Sequence, residues 1–110
     1  MSFRSDANDL LAVLHSVVRA LERFDGAQRN YTGDLAIRLQ PLVSTLEHAV
    51  TQARSREAAV AALDHVKPLM AEISGAATKG EMQIFSENLL GRYHRFATIF
   101  QETRYAGHTL

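Results

Sequence analysis

Residues 78–105 read TKGEMQIFSENLLGRYHRFATIFQETRY, and this stretch decides the fold because its apolar residues recur every three or four positions. Residues at that spacing lie in one line along an α-helix. Flanking apolar residues widen the line to an arc of about 180°, compared with about 100° for an ordinary amphipathic helix. We therefore expect a helix with neighbours on two sides. The line comprises Met82, Phe85, Leu89, Tyr93, Phe96 and Phe100.

Two local features bear on this helix. Thr78 and Glu81 stand three residues apart, as in a capping box, which predicts that the helix begins at Thr78. Gly91 lies in its middle, where glycine costs about 1 kcal/mol relative to alanine. That cost is tolerable if another backbone packs closely against Gly91.

The first half of the chain predicts two further helices. Ser5 or Asp6 can cap the first helix, which is expected to end at Asp25-Gly26. A loop is predicted over residues 25–33, and Thr32 is the predicted cap of the second helix. Pro41 falls inside that helix, and we favour one kinked helix over two pieces because the apolar line keeps its register across the proline. The line comprises Leu35, Leu39, Leu42, Leu46, Ala49 and Ala53.

A break is predicted near residue 55, where polar residues accumulate and Ser55 can cap a third helix. Pro68 is expected to kink this helix, and the segment GAATKG at 75–80 is expected to end it. We therefore predict an all-α fold, a four-helix antiparallel bundle-like domain over residues 1–110 with kinks near Pro41 and Pro68. The residues predicted to form the core or a dimer seam are Leu10, Leu14, Val17, Leu21, Met82, Phe85, Leu89, Phe96 and Phe100.

Composition limits the classes of partner. Twelve basic and twelve acidic residues cancel, so no strong field favours nucleic acid or an anionic membrane. The apolar runs are too short to span a bilayer. The start, MSFRSDANDLL, does not resemble a secretory signal and cysteine is absent, so we expect a cytoplasmic protein. The excess of arginine and alanine is typical of GC-rich bacterial coding.

The side chains that most chemistries need are not arranged for them. No two of the five histidines have the spacing that places two metal ligands on one helical face. Glu87 and His94 share a polar face but are two turns, or about 10 Å, apart. We therefore predict no catalytic residue, cofactor or metal site, and no enzymatic activity.

The wide apolar arcs of the first and last helices instead favour a protein partner, with a well-filled core as the simpler explanation. We expect a homodimer that also binds another protein through Ile84, Arg95, Ile99 and Tyr105. Bacterial antiactivators that sequester a transcription factor have this size, charge and composition, so a transcriptional regulator is the partner we hypothesise. Ile84→Glu is expected to abolish binding and to preserve helicity.

Two alternatives remain open. One is a ligand-binding bundle or small enzyme, with an apolar pocket between helices lined by Phe85, Phe96 and Phe100. The other is a secretion chaperone that binds an unfolded client segment. A thermal-shift response to metabolites would favour the ligand-binding bundle, whereas the identity of a captured partner would separate the chaperone from the regulator.

Overall fold

The computed structural model describes residues 3–24, 29–78 and 87–100, and all of its regular structure is α-helical. The helices are α1 (Phe3–Arg23), α2 (Arg29–Thr51), α3 (Arg56–Thr78) and α4 (Glu87–Phe100). The prediction of an all-α, four-helix bundle-like domain is confirmed. None of the helices in these ranges is both long and apolar enough to cross a membrane.

The helices pack mainly with their neighbours in a ring. α1 packs against α2 and α4, and α2 packs against α3, whereas α3 and α4 meet at only a few points. Contacts between α2 and α3 run in opposite directions along the two helices, as expected for antiparallel neighbours. Arg38, for example, reaches Glu72, whereas Leu42, one turn later on α2, lies near His65 and Pro68, earlier on α3. One side of the ring, between α3 and α4, is therefore only loosely closed.

The core lies along the apolar faces of α1, α2 and α3. The four α1 residues Leu10, Leu14, Val17 and Leu21 are each at most 1% exposed. The flanking α1 residues Leu11, Val13 and Val18 are buried as well. The wide apolar arc of α1 is thus covered within the chain, because α1 has neighbours on two sides. The remaining large buried side chains include Leu35, Leu39, Leu46, Leu63, Met70 and Ile73.

Both prolines lie inside helices that continue across them, so the prediction of one helix across Pro41 is confirmed. Pro41 and Pro68 are exposed. A proline removes one backbone hydrogen bond, and the carbonyl that loses its donor can be hydrated when it faces solvent. The Pro41 carbonyl also accepts a hydrogen bond of 2.9 Å from the Thr45 hydroxyl. The bend at each proline stays a prediction.

The predicted break near residue 55 is confirmed. Arg54 adopts a left-handed conformation with a φ of 52°, which turns the chain out of α2. The Ser55 amide donates to the Ala49 carbonyl at 3.0 Å, which satisfies one of the last carbonyls of α2. The Ser55 hydroxyl accepts a hydrogen bond of 3.2 Å from the Ala58 amide, so Ser55 is the N-cap of α3.

Three predicted helix starts are wrong. α1 begins at Phe3, so Ser5 and Asp6 lie inside its first turns, and Asp6 is fully buried. α2 begins at Arg29, so Thr32 lies inside its first turn. The Thr32 hydroxyl donates to the Arg29 carbonyl at 3.1 Å and does not act as the N-cap of a helix that starts later. Residues 29–33 of the predicted loop belong to α2, and residues 25–28 lie outside the described residues.

The third wrong start is Thr78, which is the last residue of α3 and not the cap of the next helix. α3 continues past Gly75 because Ala76 extends the buried face that Ile73 belongs to. The last helix was predicted over residues 78–105, and the structure has α4 at Glu87–Phe100. The rest of that prediction, residues 79–86 and 101–105, lies outside the described residues.

Candidate functional site

The described residues form an apolar groove on the outer face of α2. We call it the Ile37 groove, and its volume is about 480 Å³. Ile37 is 73% exposed and stands out as a large hydrophobic residue in water. The groove is lined by Glu22 of α1 and by Gly33, Ala36, Ile37, Gln40 and Pro41 of α2.

The sequence of α2 explains why Ile37 is exposed. Leu35 and Leu39, its neighbours two positions away on each side, are fully buried. Two residues correspond to about 200° around a helix, so Ile37 points nearly opposite to both. Gly33 and Ala36 contribute almost no side-chain volume beside it, and the space next to the Gly33 Cα is open. The groove therefore combines a protruding aliphatic side chain with a shallow floor.

Charged groups lie on both sides of α2, those on the α3 side outside the groove and one, Glu22, in its lining. Arg38 forms two ion pairs, one with Asp34 on its own helix and one with Glu72 on α3, each at 3.1 Å. Glu22 lines the groove itself and is exposed. An apolar floor with a charged margin is the usual organisation of a protein-binding surface.

Of the residues predicted to bind a partner, Arg95 is the one whose side chain the structure describes. Arg95 is exposed on α4, and its guanidinium carbon lies 5.0 Å from the centroid of the Phe96 ring. Ile99 belongs to α4, but its side chain is outside the described part of the chain, as are Ile84 and Tyr105. The predicted surface therefore stays a prediction.

The predicted core residues of the last helix are partly described. Leu89 and Phe96 are half-buried against the core, whereas Tyr93 is only 3% exposed. Met82, Phe85 and the side chain of Phe100 lie outside the described residues. The close backbone packing that would make Gly91 tolerable is not seen among the described residues, because none of their atoms outside the backbone of α4 lies within 4 Å of the position that a Cβ would occupy there.

A second depression lies where α3 and α4 separate. We call it the α3–α4 cleft. It has a volume of about 250 Å³ and is lined by Lys67, Ala71, Tyr93, His94, Ala97 and Thr98. An inter-helix pocket was expected at Phe85, Phe96 and Phe100, but Phe96 packs against the core and does not line this cleft.

The polar groups around the cleft differ in their surroundings. Burial raises the pKa of Tyr93 from 10.0 to about 12, because the phenolate would lose hydration. The Thr98 hydroxyl donates to the His94 carbonyl at 2.8 Å, one turn earlier on α4. The Tyr93 and His94 rings meet edge to face, with 5.2 Å between their centroids. The side chain of Glu87, which was predicted to share a polar face with His94, lies outside the described residues, and so does Tyr105.

A further pair of titratable side chains joins α1 and α2. His15 Nε2 on α1 lies 3.6 Å from Glu47 Oε1 on α2. Within residues 3–24, 29–78 and 87–100, no group of three or more histidine and acidic side chains is arranged to hold a metal ion.

Sequence reasoning missed the two residues on which these depressions depend. Ile37 lies on the face of α2 opposite the leucine line, where a single aliphatic residue does not contribute to the helical periodicity. Its isolation from that line was the available signal. Lys67 gave no comparable signal, because the cleft depends on how far α4 stands from α3.

No family model, curated protein or solved structure matches the chain.

Proposed function

We propose that this chain is a small helical regulator that binds another protein and masks part of its surface, with the Ile37 groove as the docking surface. The observation that carries the proposal is the 73% exposure of Ile37 inside an apolar groove. Burying an isoleucine side chain contributes about 1.5 to 3 kcal/mol, which corresponds to roughly a tenfold to hundredfold gain in affinity. Ile37 can therefore act as an anchor for a partner.

The occupant we propose is an amphipathic helix of the partner. A single protruding aliphatic residue beside small residues suits a helix that lays an apolar face across the groove. The exposed carboxylate of Glu22 at the groove suits a basic residue of that helix. In the specific hypothesis, the partner is a transcription factor and the chain is an antiactivator.

The test is capture of a partner by the tagged chain, compared among variants. Ile37→Glu places a charge in the groove, and we expect it to abolish capture of the partner that the unaltered chain recovers. Ala61→Glu is the matched control, since Ala61 is exposed on α3 and lines neither the Ile37 groove nor the α3–α4 cleft. It adds the same charge and should leave capture intact. Capture that survives Ile37→Glu overturns the proposal.

The captured protein and the mass of the free chain distinguish the other hypotheses. A DNA-binding regulator supports the antiactivator, whereas an exported protein supports the secretion chaperone. A homodimer that Ile37→Glu converts to a monomer would assign the groove to self-association instead. Arg95→Glu tests the surface predicted on α4, and a loss of capture there would add α4 to the binding surface.

A further inference from the structure

The α3–α4 cleft has the composition of a small-ligand site, which is separate from the Ile37 groove. We propose that it binds a small organic carboxylate, with the Lys67 ammonium group facing the carboxylate and Ala71 and Ala97 forming the apolar floor. Three lines of observation support this assignment: the opening between the helices, the charge of its lining, and its size.

The opening is built into the packing. α4 rests mainly on α1 and meets α3 at few points. Where the two helices face each other they carry alanine, at position 71 on α3 and position 97 on α4. Two methyl groups cannot fill the space between helix axes that larger side chains would occupy. The space remains accessible along its outer side, where Lys67 and His94 are exposed.

The charge of the lining favours an anion. Among the described residues that line the cleft, Lys67 carries a positive charge and none is acidic. The nearest described acid of Lys67 is Asp64, one turn earlier on α3, with 3.9 Å between Nζ and Oδ1. This distance is long for an ion pair, and both side chains are about half exposed, so the attraction between them is weak. An ammonium group also has three donors, so one contact leaves others available. Lys67 can therefore contact a ligand and keep its contact with Asp64.

The hydroxyl groups of Tyr93 and Thr98 also bear on which ligand the cleft can bind. Tyr93 lines the cleft and keeps its proton far above neutral pH, so it offers a hydrogen-bond donor and no competing charge. Thr98 already donates to its own helix, which leaves its oxygen as an acceptor. A carboxylate, which is an acceptor only, matches Lys67 and Tyr93 together.

The size limits the ligand. Pockets for drug-sized molecules have volumes of about 300 to 1,000 Å³, and this cleft has about 250 Å³. A short aliphatic acid fits this volume, with its hydrocarbon part against the alanines and the Tyr93 ring. Inorganic phosphate shares the charge but has no part that would use the apolar floor.

The experiment is a titration of the isotope-labelled full chain with butyrate, monitored by amide chemical shifts. We expect butyrate to shift the signals of residues 67–71 and 93–98, whereas butyramide, which has the same shape without the charge, should bind at least tenfold more weakly. Inorganic phosphate should shift these signals less than butyrate does. Equal binding of phosphate would overturn the assignment to a carboxylate.

Variants connect the signal to the cleft. Lys67→Gln should weaken butyrate binding at least tenfold, and Tyr93→Phe should weaken it severalfold. Arg92→Gln removes a positive charge from an exposed position of α4 outside the cleft lining and should leave binding unchanged. The proposal is overturned if butyrate shifts none of these signals or if Lys67→Gln binds butyrate like the unaltered chain. Unchanged amide spectra of the free variants verify that they fold.

Discussion

The Arg38 Nη2 atom of α2 lies 3.1 Å from the Glu72 Oε2 atom of α3, so an ion pair joins the two helices at the protein surface. Both side chains are more than two-fifths exposed. Water and salt screen such pairs, and they contribute at most about 1 kcal/mol. The α2–α3 interface is therefore held mainly by its apolar residues, and the ion pair helps to fix which residues face each other.

A double-mutant cycle with Arg38→Gln and Glu72→Gln measures this pair. We expect a coupling free energy of less than about 1 kcal/mol that decreases as salt is added. The cycle is needed because Arg38→Gln also removes the ion pair with Asp34. A coupling of several kcal/mol that salt does not reduce would contradict the assignment of this pair to the surface.

Ile37 and Leu39 offer a matched comparison on one helix. Leu39 is fully buried and Ile37 is 73% exposed. Leu39→Ala should lower the free energy of unfolding by about 2 to 5 kcal/mol, because it leaves a cavity in the core. Ile37→Ala should change it by less than about 0.5 kcal/mol. Denaturant unfolding of both variants measures the difference, and similar losses would show that Ile37 packs against part of the chain.

Gly91 and Gly75 are expected to be sites of stabilising substitutions. Both lie inside helices, and at neither does a described atom outside the helix's own backbone lie within 4 Å of the position that a Cβ would occupy. Alanine is favoured over glycine in a helix interior by about 1 kcal/mol. Gly91→Ala and Gly75→Ala should each raise the free energy of unfolding by up to that amount. Destabilisation by Gly91→Ala would indicate that something packs against α4 at this glycine.

Tyr93 should make stability depend on alkaline pH. Its pKa is raised from 10.0 to about 12, so the folded chain holds the phenol proton more tightly than the unfolded chain does. This contribution is fully present below pH 10, and it is lost as the pH rises towards about 12. The full loss for two pKa units is about 3 kcal/mol.

Comparison with Tyr93→Phe isolates the effect of this phenol. The stability of the unaltered chain, measured relative to that of Tyr93→Phe, should decline between about pH 10 and pH 12, because only the unaltered chain can ionise at this position. Urea unfolding at a series of pH values gives both curves. Parallel curves would mean that the Tyr93 phenol ionises as readily in the folded chain as in the unfolded one.

The fold could be predicted from the sequence because heptad-like apolar spacing and the Ser55 cap are local signals. Helix starts were less predictable, since Ser5, Asp6 and Thr32 are good capping residues that also fit inside a first turn. The α3–α4 cleft could not be predicted, because it depends on the distance between two helices that meet at few points. The Ile37 groove was predictable in principle, from one aliphatic residue opposite the leucines of α2.

The ring arrangement also implies an order of folding. α1 with α2 and α2 with α3 are consecutive helices, so their contacts close only short loops. α4 instead packs on α1, which is distant from it in sequence, and within the described residues it is the shortest of the four helices. Contacts between distant parts of a sequence form late because chain entropy opposes them. The first three helices should therefore acquire protection from hydrogen exchange before α4 docks, and α4 should be the first helix to exchange in the native state.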